Sequence, residues 1–437
     1  MSQSGNLPEI DPSFDAIHPQ PFTGREAALS YFYQYLNDPH PQRALLYIGQ
    51  RLTGKTALLY HFDTVLEELD LVVFLPLDAD VCQNSDRLLQ SWYQAAYDRI
   101  VAAGFSENRL PVLPRGSFNW RDWLAETGMP DLVSVLRGGR RLIFLLDDVD
   151  YLLDAISEKR LPADMVAYLQ RLLRPSLYLV LTVNLANEDR LSVLSPLINP
   201  AEAYRLRYLM LEELAGLYPG PDLDQVHQVS ERIYRLTGGH PALAQYFNRC
   251  LRERTAAPIL TVSDVDAVAP QVYRVSLPIY RELSASLNPT EHLVLTAIVN
   301  LRYEDPLKPI TAAEINAWLV ETEFQMDSTA INAALRSLEY RELVTIERGA
   351  VTMTAEFFQK WVLENTDASR PVTQPSIVRF APLPVPEQHR ALWLAIAVAI
   401  ILFMIVMMAL ALDQPPTISR GDIPPTITLV PGNTLTP

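Results

Sequence analysis

Cysteine is nearly absent from this chain. Cys82 and Cys250 are the two thiols in 437 residues, too few and too far apart for a disulfide framework or a zinc spacing. They read as buried thiols of a reducing compartment. Histidine is sparse and scattered, at His18, His40, His61, His227, His240, His292 and His389. No two of them stand four apart on one expected helix, so they build no metal cluster. Basic blocks are missing too: the formal net charge is −15, and non-specific nucleic-acid binding is not the default expectation. The first 20 residues have neither a basic n-region nor an apolar h-region, which excludes a signal peptide and leaves a loose leader. What the chain does have is apolar residues, 49% of the total, enough for large cores in two or three domains.

One stretch breaks the pattern of a water-exposed chain. Residues 391–412, ALWLAIAVAIILFMIVMMALAL, carry no charge and no polar side chain. As a helix they would measure about 33 Å, the thickness of a bilayer's hydrocarbon core. Arg379 and Arg390 precede the stretch and Arg420 follows it. That bias favours the N-terminal side inside. The expectation is a single-pass membrane protein with its N-terminal region cytoplasmic. A linker with five prolines at 366–390 would lead to the span, and the Pro- and Thr-rich tail 413–437 would lie outside the cytoplasm.

Apolar runs bounded by turn residues mark five expected strands: 44–49, 71–77, 141–147, 177–183 and 204–210. Helical patterns lie between them at 54–69, 84–103, 119–137 and 162–174. Unbroken apolar strands alternating with helices predict a doubly wound α/β domain with a parallel sheet, over 21–210. From 211 to 284 the pattern is helical, a small lid. Three helix patterns at 289–300, 311–320 and 328–341, then two short strands around Arg348 and Gly349, give the order of a winged helix over 285–365.

The chemistry is carried first by Gly49-Gln50-Arg51-Leu52-Thr53-Gly54-Lys55-Thr56, followed by Ala57. These residues match the G-x-x-x-x-G-K-[ST] phosphate loop, between an expected strand and an expected helix. Glycines let backbone N–H groups turn toward phosphate oxygens, and the helix N-terminus adds partial positive charge. Lys55 would reach the β and γ phosphates of ATP, and the Thr56 hydroxyl would bind Mg²⁺. The run RLIFLLDDVD, 141–150, ends a strand in acids. Asp147 would hold the magnesium or its water, and Asp148 would orient the attacking water.

With these two motifs the chain resembles the STAND branch of AAA-like P-loop ATPases. Phe22-Thr23-Gly24-Arg25-Glu26 is similar to that family's N-terminal motif near the adenine, and Gly238-Gly239-His240-Pro241 to its lid motif. The resemblance implies ATP or ADP as ligand, with Gly24 and Arg25 near the base, Pro241 touching it and His240 sensing phosphate. It implies a γ-phosphate sensor at the end of the fourth strand, Thr182 or Asn184. Arg171 and Arg174 stand where an arginine finger would be. Capping and helix-stop roles are the plain alternative for the outer motifs.

The stretch 285–365 has six basic residues against twelve acidic ones. Phosphate repulsion then argues against nucleic acid as a partner and for a protein-packing role, which in the family holds the closed ADP state. The resulting expectation is a membrane-anchored, slow ATPase that switches conformation and self-associates on binding ATP. A DNA-associated ATPase of the origin-recognition type, and a membrane scaffold that binds ATP without turnover, remain alternatives.

Overall fold

A computed structural model describes residues 22–66, 70–114, 118–136, 140–218, 220–254, 260–303, 305 and 308–365. Helix α1 (Glu26–Leu36) leads into β1 (Leu45–Gly49), and α2 (Lys55–Val65) starts inside the phosphate loop. Next come β2 (Leu71–Phe74), α3 (Ser85–Ala102), the short helices α4 (Trp120–Trp123) and α5 (Met129–Val135), and β3 (Leu142–Leu146). Helices α6 (Asp150–Ser157) and α7 (Met165–Leu172) precede β4 (Leu177–Asn184), and β5 (Tyr204–Arg205) ends the sheet. The first four expected strands form. The fifth is cut to two residues, because after Leu206 N–H bonds Ile48 O (2.7 Å) the chain leaves the edge for the C-terminal half.

Why these runs become strands is visible in their burial. Every residue of β1 and β3, and all but the last of β4, is buried. Side chains alternate between two cores. Leu46, Ile48, Phe144, Leu146, Leu179 and Leu181 meet α3, α6 and α7 on one face. Leu45, Tyr47, Ile143, Leu145 and Val180 meet Phe32 of α1 and Phe62 of α2 on the other. Strand order is β2-β3-β4-β1-β5, every pairing parallel. Gly49 stands beside Asn184 and Leu146 beside Leu181. The phosphate loop, the acids after β3 and the end of β4 therefore converge at the carboxyl ends of the strands, where open α/β sheets bind ligands.

The C-terminal half holds α8 (Leu211–Ala215), α9 (Leu223–Thr237), α10 (Pro241–Arg254), α11 (Val262–Ala285), α12 (Pro289–Leu301), β6 (Ile310–Thr311), α13 (Ala312–Glu321), α14 (Ser328–Tyr340), β7 (Val344–Glu347), β8 (Ala350–Met353) and α15 (Glu356–Asn365). Capping boxes at Thr261, Asn288 and Thr311 start α11, α12 and α13. The hairpin β7–β8 gains a third antiparallel strand, β6. One hydrophobic cluster runs from Leu209 to Val362, and Leu52 of the phosphate loop packs against it.

The expected membrane localisation is corrected. Among the described residues no helix is long and apolar enough to cross a membrane. The longest, α11, carries charged residues along its length and Pro270 and Pro278 within it. The segment 391–412, on which the expectation rested, lies outside the described residues, as do the linker and the tail.

Candidate nucleotide site

The phosphate loop is shaped by left-handed backbone at two positions, Leu52 (φ 61) and Gly54 (φ 90). Gly49 cannot carry a side chain: a Cβ there would stand 2.8 Å from both Leu206 O and Thr53 Oγ1. The Thr53 hydroxyl closes the turn onto Gln50 O at 2.8 Å. Lys55 is buried, its ammonium donating to the carbonyls of Gly49 (3.0 Å) and Gln50 (2.9 Å). Burial pulls its pKa below the ordinary lysine range, opposed by the charges of Asp148, Asp147 and Asp150. Thr56 and Ala57, at the start of α2, are exposed.

The acids after β3 sit against this loop. Thr56 Oγ1 donates to Asp147 Oδ2 at 2.5 Å, and Thr182 Oγ1 donates to Asp147 Oδ1 at 2.5 Å. Thr182 also accepts the N–H of Asp148 at 2.9 Å. A hydroxyl has one proton; that of the fully buried Thr182 goes to Asp147. In this arrangement Thr182 links the Asp147 carboxylate to the backbone of Asp148. Asn184 Oδ1 accepts the Ala186 N–H and its own N–H bonds Asp150, so it fixes the turn after β4. Asp148 has left-handed backbone (φ 51) and reaches solvent. Partial burial, then the charge of Asp147, raise its carboxyl above the usual range, against the pull of Lys55. A hydroxyl and a carboxylate joined across the loop are hard oxygen donors of the kind magnesium takes. The donor set fits an Mg²⁺–nucleotide, and Thr56, Asp147 and Lys55 are the residues that would hold it.

Arg25 of the first outer motif and His240 and Pro241 of the second are buried. Arg25 (φ 67) is buried; its guanidinium donates to Thr53 O (2.8 Å) and Arg207 O (2.5 Å), bracing the phosphate loop from behind. Gly24 packs on Glu213, which a Cβ would approach to 2.7 Å, and Glu213 accepts the Arg25 N–H. His240 is 2% exposed, its ring 4.9 Å from that of Tyr208, and neither ring nitrogen has a hydrogen-bond partner. Burial lowers its pKa to about 4. Pro241 is buried at the start of α10. Arg174 is bound to the carbonyls of Leu172 and Ala125 and is a structural arginine; Arg171 is exposed at the end of α7.

Sequence reasoning missed the contacts between the loop and the C-terminal half. Gln50 Nε2 donates to Arg341 O, and its Oε1 accepts from Tyr208 OH at 3.1 Å. Glu342 accepts the Tyr208 N–H at 2.7 Å. Tyr340 OH donates to Glu188 at 2.5 Å, with Arg205 stacked 3.6 Å over its ring. Arg51 pairs with Glu282 of α11 at 3.0 Å. Positions written x in a motif carry no signal for such contacts; the tertiary fold assigns them.

No protein-family model and no curated protein matches the sequence. Solved structures do. A Walker-type ATPase of Pyrococcus abyssi is 14% identical with a TM-score of 0.52, covering 78% of this chain and 96% of its own. The Aeropyrum pernix Orc1 protein in complex with DNA is 18% identical, TM-score 0.35, covering 79% and 94%. Cdc6p from Pyrobaculum aerophilum is 16% identical, TM-score 0.34, covering 81% and 98%. The fold is that of the P-loop ATPases, an α/β fold on a parallel five-stranded sheet. The expectation that nucleic acid is not a partner is withdrawn. It rested on a domain's summed charge, which does not fix the charge of one face. Arg336 on α14 and Arg348 at the β7–β8 turn are both exposed.

Proposed function

We propose that this chain binds ATP with magnesium and hydrolyses it slowly, and that the bound nucleotide controls how its C-terminal half closes on the phosphate loop. The observation that carries the reading is the hydrogen-bonded chain Thr56–Asp147–Thr182, which ties the helix after the loop to the ends of β3 and β4. Lys55 and the loop amides would hold the phosphates, Thr56 and Asp147 the metal, and Asp148 would orient the attacking water. Lys55→Ala should abolish nucleotide binding. Asp148→Asn should keep binding and lose turnover; equal turnover would remove Asp148 from the reaction.

Support for nucleotide control comes from what the loop touches. Leu52, Gln50 and Arg51 meet the C-terminal core, Arg341 and Glu282 respectively. We read residues 285–365 as a winged helix docked on the loop, a closed arrangement that ATP opens. Limited proteolysis with ADP and with a non-hydrolysable ATP analogue tests this, and identical patterns would defeat it.

The second reading is a DNA-associated ATPase of the origin-recognition type. Exposed Arg336 and Arg348, on the helix and the turn that a winged helix offers to DNA, favour it. DNA retention that falls steeply with salt, and weakens in Arg336→Ala, would establish it.

A further inference from the structure

We propose that Arg51 contacts the terminal phosphate of bound ATP, and that Glu282 competes for the same guanidinium, so that this pair distinguishes ATP from ADP. The inference rests on the reading of the loop as an ATP site. Arg51 follows Gly49 and Gln50, whose carbonyls hold the Lys55 ammonium. Its backbone therefore lies at the mouth of the phosphate cradle. Its charge is felt by both Lys55 and Asp148. Its side chain is 59% exposed and its partner Glu282 45% exposed. Both line an open cleft with Gln50, Asn184, Ser286 and Arg341.

The strengths of the two pairings decide which one holds. An exposed arginine–carboxylate pair is worth less than a ten-fold change in an equilibrium. A guanidinium meeting a phosphate makes charge-assisted, frequently bidentate hydrogen bonds, which are stronger. A terminal phosphate would therefore take Arg51 from Glu282, whereas ADP, lacking that phosphate, leaves the pair as it stands. Glu282 lies on α11, four residues before Ser286, whose hydroxyl accepts from Arg341 Nη1 at 3.2 Å. Release of Glu282 thus loosens the same face of the C-terminal half that Gln50 holds through Arg341.

The test is the affinity of the full-length chain for ADP and for a non-hydrolysable ATP analogue, each with magnesium, read by displacement of a fluorescent nucleotide. Arg51→Ala should lower the ratio of ATP-analogue to ADP affinity about ten-fold and leave ADP affinity within about two-fold, because loop amides and Lys55 hold the β-phosphate. Glu282→Gln should raise the ratio by about two- to three-fold, the worth of an exposed pair. An unchanged ratio in Arg51→Ala, with ADP still bound, overturns this proposal alone. Failure of the unmodified chain to bind either nucleotide overturns the ATP-site reading as well.

Discussion

Replacing Thr182 by valine tests the arrangement of the acid pair most directly. The side chain keeps its shape and loses one hydroxyl. That hydroxyl is 0% exposed with its residue, donates to Asp147 at 2.5 Å and accepts the Asp148 N–H at 2.9 Å. An unpaired buried N–H costs about 1–3 kcal/mol, and a hydrogen bond to a charged group contributes about 1.5–3. The two losses share one atom and Asp147 keeps Thr56, so they do not add; a loss of about 2 kcal/mol is expected. For a protein of this size that lowers Tm by about 2–3 °C. Thr182→Ser keeps the hydroxyl and should melt above the valine variant. The assay is thermal unfolding of all three proteins, without nucleotide and with magnesium and ADP. The valine variant should also need more magnesium to reach the same stabilisation, because Asp147 is left held from one side. Melting within 1 °C or so of the unmodified protein, or a serine variant as damaged as the valine one, would refute the reasoning.

Three more outcomes follow from the packing. His240 is buried neutral with a pKa near 4 against an ordinary 6.5; the unfolded chain binds the proton first, so stability should fall by up to about 3 kcal/mol as pH drops from 6.5 to 4. Denaturant unfolding across that window should show the decline, and His240→Leu should flatten it. Gly239→Ala places a Cβ 2.1 Å from Leu209 O at φ +76 and should destabilise by roughly 3 kcal/mol or more by the same measurement. Asp70 is 2% exposed at its side chain and grips Arg141 through two hydrogen bonds, 2.7 and 2.6 Å. Asp70→Ala leaves that guanidinium without its carboxylate and should cost roughly 3 kcal/mol in urea unfolding.

The sheet was legible because β1, β3 and β4 are buried on both faces, and burial on both faces writes an unbroken apolar run into the sequence. The phosphate loop was legible because its chemistry demands fixed residues at fixed spacing. β6 escaped notice because two residues, Ile310 and Thr311, carry no period. α15, EFFQKWVLEN, follows the hairpin without a turn signal that would separate it. Thr182 shows the deeper limit. A polar residue at a strand end can face a ligand or a neighbouring strand. The register that sets Leu146 against Leu181 brings Asp147 beside Thr182, a contact that no apolar period announces. The nucleic-acid expectation failed for a related reason: a summed charge has no direction, whereas Arg336 and Arg348 each occupy a surface.

Strand β4 has a neighbour on both sides, β1 and β3, and seven of its eight residues are buried. Its amides should be among the slowest in the chain to exchange with deuterium. Thr182 belongs to that strand, so the Asp147 carboxylate it holds inherits the positional precision of the part of the molecule that opens least often. Exposed loop residues such as Arg51 can then change partners while Asp147, beside Thr182, stays in register.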